Sequence, residues 1–221
     1  MGRESKRRLG LFLIVAGLLL VAAGIALGSY NLWDNRRAGS EVEPILEAIV
    51  QHRKDLPAER QSSPTETMPA DQPEPEAPAQ EISTPEMPVV EIDGYRYIGT
   101  VTIPVLDLEL PVMEDWSYPQ LKIAPCRYAG SVYQGNMILC AHNYATHFGR
   151  LKNLLAGDDV VFIDADGNEF FYAVAQVETL APTAIEEMES GGWDLTLFTC
   201  TLGGRTRVTV RCRLLENDKL E

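Results

Sequence analysis

Hydrophobic and polar positions change their spacing along this chain, and each change marks a different kind of segment. Leu9 to Trp33 runs 25 residues without an acidic or basic side chain, behind a start that holds Arg3, Lys6, Arg7 and Arg8. About 20 apolar residues span a bilayer as a helix, whereas the apolar part of a cleaved signal peptide is about 7 to 15 residues long. The pattern predicts an uncleaved transmembrane signal anchor over residues 9–33, with the basic end at 1–8 cytoplasmic and the rest extracellular. From Glu41 to Leu56, Ile45, Leu46, Ile49 and Val50 recur at helical spacing and predict a short amphipathic helix, near the membrane or paired with a second copy. Pro57 to Pro88 then holds eight prolines in 32 residues, with polar side chains between them and few aliphatic ones. Such a composition cannot bury a core. Extended at about 3.1 Å per residue, it predicts a stalk with a reach on the order of 100 Å, lifting the C-terminal part of the chain away from the membrane. Residues 34–88 are therefore expected to be a membrane-proximal helix and linker.

From Val89 to Glu221 the pattern changes again, to short Val, Ile, Leu, Phe and Tyr runs broken by Gly, Pro, Asn and Asp. The 133 residues are enough for one core, and the runs predict an all-β domain, with a closed barrel as one of its usual solutions. Asp164, Asp166 and Asn168 alternate as in a calcium loop, but the terminal Glu and flanking helices of an EF-hand are missing. A hairpin turn between Val160–Ile163 and Glu169–Val177 is the expected reading.

One of these runs ends on a thiol. In Leu195 to Cys200, alternation puts Leu195, Leu197 and Thr199 on one face and Thr196, Phe198 and Cys200 on the other, so Cys200 closes a strand. Leu202-Gly203-Gly204 reverses the chain, and alternation resumes from Arg205 to Leu214, which predicts a hairpin that returns Arg207 toward Cys200. A guanidinium beside a thiol favours the thiolate and can hold a developing oxyanion. A third run, Asn136 to Asn143, places Ile138, Cys140 and His142 on one face. His142 closes that run, which favours it as acid/base group over His147. Arg205 shares a face with Arg207 and is the weaker candidate, while Arg211 and Arg213 read as exposed strand residues.

Taken together, Thr-Leu-Phe-Thr-Cys, the upstream His142-Asn143 and the Arg207-Val208-Thr209-Val210 strand resemble the sortases, membrane-anchored cysteine transpeptidases of Gram-positive bacteria. Tyr97-Ile98-Gly99-Thr100-Val101-Thr102-Ile103-Pro104 is similar to the first strand of that family, and His147-Phe148-Gly149-Arg150-Leu151 to the segment after its catalytic His. The resemblance runs from about Tyr95 to Leu215. It implies an eight-stranded barrel with short helices, with Cys200 as nucleophile, His142 as acid/base group and Arg207 as oxyanion or carbonyl partner. Thr199, next to the nucleophile, is expected to contact substrate through its hydroxyl or backbone. The implied partners are secreted proteins carrying a C-terminal Leu-Pro-x-Thr-Gly-like sorting signal, with an amine of a peptidoglycan precursor or a pilin as acceptor. His-Asn and Arg-Val-Thr-Val lean toward the class B pattern, while the short segment from Ala181 to Gly192 leaves the class open. An exported cysteine hydrolase, with water as acceptor, and a non-catalytic wall-facing β-domain are the alternatives.

Charge narrows the partners. The formal net charge is -13, and without the basic start and Glu4 the remainder holds 15 basic and 31 acidic residues. That argues against nucleic acid or an anionic surface. No Cys-x-x-Cys pair occurs, so zinc is not expected, nor is another metal or cofactor. With Cys200 free, Cys126, Cys140 and Cys212 allow at most one disulfide.

Overall fold

The structure is a computed structural model, and it describes residues 3–56 and 86–215. It begins with helix α1 (Arg3–Ser40), which contains the whole apolar run. Among the described residues, this is the one helix long and apolar enough to cross a membrane, and its apolar stretch is unburied. Helix α2 (Val42–Asp55) comes directly after it. The expected stalk lies outside the described residues except for its last three, Glu86 to Pro88.

Nine strands make up the rest: β1 (Val90–Ile92), β2 (Tyr95–Ile103), β3 (Leu108–Met113), β4 (Cys126–Ala129), β5 (Met137–Ala141), β6 (Asp159–Asp164), β7 (Glu169–Leu180), β8 (Leu195–Cys200) and β9 (Arg207–Leu214). Eight of them, in the order β2-β3-β4-β5-β8-β9-β7-β6, close on themselves when β6 pairs back onto β2. The barrel is mixed, because β3–β4 and β5–β8 are parallel and the other pairs antiparallel. Short β1 adds to the outside of β2. Closure requires close backbone approach at Gly99, whose φ is +150° and whose missing Cβ would sit 2.1 Å from the Ile163 carbonyl oxygen. Only glycine tolerates that approach.

Alternation sorts the side chains into two apolar layers. Val101, Leu110, Leu139, Phe162, Leu195, Leu197 and Val210 fill the barrel. Val90, Tyr97, Met113, Cys126 and Cys140 form a second cluster, and α2 buries Ile45 and Ile49 in it. Arg53 pins the far end of α2 across the closing seam, donating to the carbonyls of Asp164 and Ile163 and to the Thr100 hydroxyl. The apolar stripe of α2 is thus spent on the barrel. The segment from Asp164 to Asn168 is a hairpin turn between β6 and β7. The buried Asp164 carboxylate accepts from the N–H groups of Asp166 and Asn168.

Candidate active site

Parallel pairing of β5 with β8 sets Ala141 beside Thr199, so His142 and Cys200 leave neighbouring strand ends one step further on. Antiparallel pairing of β8 with β9 sets Cys200 opposite Arg207. The pleat puts all three on the same, outer side of the barrel. The three residues singled out from the sequence thus lie side by side at the ends of three adjacent strands.

Each has a distinct environment. Cys200 is the exposed one among four free cysteines; Cys126, Cys140 and Cys212 are buried. Burial pushes the thiols of Cys126 and Cys212 up to about 12 and raises Cys140 as well, which keeps them protonated and inert. His142 is half-buried, and its Nδ1 meets both the Asn143 N–H and the Asn143 side-chain oxygen at 3.1 Å. A neutral ring can accept from the first and a protonated ring can donate to the second, so Asn143 serves both states and leaves Nε2 for chemistry. His147 is wholly buried, and desolvation pushes it down to about 4. Its ring cannot reach a substrate. Arg207 donates from Nη1 to the carbonyls of Gly204 and Thr206, which holds the guanidinium at the β8–β9 turn. Arg205 lies in that turn, exposed and ahead of the strand.

Thr199 differs from expectation. Its side chain faces the barrel interior, 3% exposed, and its hydroxyl donates to the Ala141 carbonyl at 2.8 Å. The pleat turns the Thr199 side chain away from the face that carries Cys200, which leaves its backbone as the part on the side of the site. What the bond does is tie the end of β8 to the end of β5, fixing the spacing of Cys200 and His142.

Beside Cys200 and Arg207 runs an open groove of about 230 Å³. One wall is aromatic: Trp116 stacks on Tyr128 at 6.0 Å, and Tyr128 meets Phe198 edge-on at 5.4 Å. The other wall is the β7–β8 connection, with Ala181, Pro182, Ala184 and the short helix α3 (Ile185–Glu189), whose Ile185 and Met188 line the groove. Arg211, expected on an exposed face, is 2% exposed and holds this wall in place. It pairs with Glu178 at 2.8 Å and donates to the carbonyls of Met188 and Glu187 and to the Thr196 hydroxyl. Alternation placed Arg211 on the outer face correctly; what it did not show is that α3 folds down over that face. The aromatic wall was missed because Trp116 and Tyr128 sit in irregular or short segments where no period marks them. Among the described residues no cluster of His, Cys, Asp and Glu has the arrangement of a metal site.

This geometry has relatives. The family model described as the sortase domain matches residues 101–215. Sortase A of Bacillus anthracis is 27% identical over 205 residues, which cover 89% of this chain and 89% of that protein. The solved structure of sortase A from Corynebacterium diphtheriae shares the fold, with a TM-score of 0.52 and 21% identity over 57% of this chain and 64% of that one. The likeness identifies the family and not the class. Since the family model takes in more than half of the chain, with His142, Cys200 and Arg207 all inside the matched region, the chain belongs to the sortases, a family of cysteine transpeptidases.

Proposed function

We propose that this chain is a membrane-anchored transpeptidase that works through Cys200, His142 and Arg207. Cys200 gives its thiol proton to His142 and its sulfur attacks the carbonyl carbon of a sorting-signal peptide bond, and the oxyanion that forms is held by the Arg207 guanidinium. As the C–N bond breaks, His142 gives its proton to the leaving amine, and a thioester remains on Cys200. An incoming amine, losing its proton to His142, attacks that thioester, forms the new amide and frees the thiol. The apolar groove suits a signal with apolar residues ahead of the cleaved bond, of the Leu-Pro-x-Thr-Gly kind, cut after Thr. The acceptor is an amine of a peptidoglycan precursor or a pilin. Helix α1 is the anchor, with the barrel on the outer side.

The observation that carries this reading is the exposed Cys200 directly across the ladder from Arg207 and one strand from His142. The test is cleavage of a sorting-signal peptide with and without an added amine. Wild-type protein should release the C-terminal fragment and join the rest to the amine, and Cys200→Ala should do neither while keeping its β-rich spectrum. Turnover in Cys200→Ala removes the nucleophile assignment. Release with no amide product, at any amine concentration, makes the protein a hydrolase.

A further inference from the structure

The apolar helix does not end clear of the barrel. Its last two turns lie against the short segment that carries His142. Asp34, the first residue after the apolar run, accepts a 2.5 Å hydrogen bond from the Tyr144 hydroxyl. Asn35 takes two more bonds, its side-chain oxygen from the Ala145 N–H at 2.9 Å and its carbonyl from the Thr146 hydroxyl at 3.2 Å. Ala38 is wholly buried. Tyr144 in turn lies flat on His142, with ring centroids 4.2 Å apart and planes 5° from parallel. Two contacts therefore connect the end of α1 to the imidazole.

A ring lying flat on His142 restricts the turn about χ2 that would carry Nε2 away from its working direction. Ordering a side chain ahead of the reaction removes its entropy cost from the chemical step. The stack can do this only if Tyr144 is itself fixed, and Asp34 fixes it. We propose that Tyr144 and Asp34 are positioning residues for His142, so that the acid/base group reaches full competence only with the end of α1 docked. The inference rests on His142 as the acid/base group.

The test uses the full chain in lipid nanodiscs. Tyr144→Phe keeps the stack and loses the bond to Asp34; Asp34→Ala loses the bond from the other side. Each should lower kcat for peptide cleavage about 3- to 10-fold with KM within about twofold, and the double variant should be no slower than the slower single one. Tyr144→Leu should be slower still, because the stack goes too. Tyr133→Phe is the structural control: it removes an equally short bond, 2.5 Å to Asp164, away from the site, and should lower the melting temperature without the loss in kcat. Effects of the two single changes that multiply in the double variant, an unchanged kcat, or an equal kcat loss in Tyr133→Phe each overturn the proposal. Ring NMR signals of His142, read in Cys200→Ala protein where no turnover occurs, should broaden alike in Tyr144→Phe and Asp34→Ala. Should His142→Ala retain turnover, the functional reading falls, and the NMR result still decides whether Asp34 and Tyr144 order the ring.

Discussion

Cys200 and Arg207 face each other as the terminal pair of the β8–β9 ladder. The guanidinium beside the thiol is fixed by two turn carbonyls, a geometry that a lysine's single ammonium cannot reproduce. Arg207→Lys should react with iodoacetamide at Cys200 within about threefold of wild type yet lose about 10²-fold in peptide cleavage. Arg205→Lys should change neither rate. If Arg207→Lys cleaves at a near wild-type rate while Arg205→Lys fails, the two arginines exchange roles.

His142 and His147 should separate by what they affect. His142→Ala is expected to lose about 10²- to 10⁴-fold in cleavage with its melting temperature little changed. His147 acts on stability through pH. Its folded value is about 4 and its unfolded reference 6.5, so the unfolded chain takes up a proton first as pH falls. The stability held above pH 6.5 therefore drains away between 6.5 and 4, by about 3 kcal/mol. Urea midpoints of wild type and His147→Leu at pH 7.5 and pH 4.5 measure this. The drop on acidification should be smaller in the variant, and an equal drop would show that His147 does not titrate as buried.

A truncation at Val89, where the pattern of the chain changes, is predicted to lose part of the fold. Such a truncation removes Ile45 and Ile49 from the outer cluster and Arg53 from the closing seam. Ile49 alone is wholly buried, so Ile49→Ala should cost about 2 to 5 kcal/mol. A chain that begins at Val42 should melt cooperatively in calorimetry, and one that begins at Glu86 should melt far lower or aggregate. Equal melting of the two would show that α2 contributes nothing to the fold.

Arg211 is predicted to govern substrate binding more than chemistry. Arg211→Lys loses most of the bonds that hold α3 over the groove, and KM should rise about 3- to 10-fold with a smaller change in kcat. Its Cys200 should still be alkylated at the wild-type rate. An unchanged KM would show that the groove wall stands without the clamp.

The barrel strands and the side-by-side placement of His142, Cys200 and Arg207 were legible because each depends on a local rule. Period two placed Cys200 at the end of β8 and turned it to the outer face, and Gly203-Gly204 announced the hairpin that returns Arg207. The same period pointed the Thr199 side chain the other way, and its hydroxyl is spent on the Ala141 carbonyl. What the sequence did not reveal depends on packing between distant segments. Arg211 has the pattern of an exposed strand residue until α3 covers it, and α2 has the pattern of a surface helix until the barrel supplies its partner. Asp34 and Tyr144 lie 110 residues apart with no motif to join them.

The path of the chain before β1 has one more consequence. Helix α2 runs into residues 57–85 from the barrel surface, and β1 takes up the chain again on the same barrel. The described chain on either side of residues 57–85 thus belongs to one body, and the docking of α1 and α2 on the barrel sets how far Cys200 stands from the apolar helix.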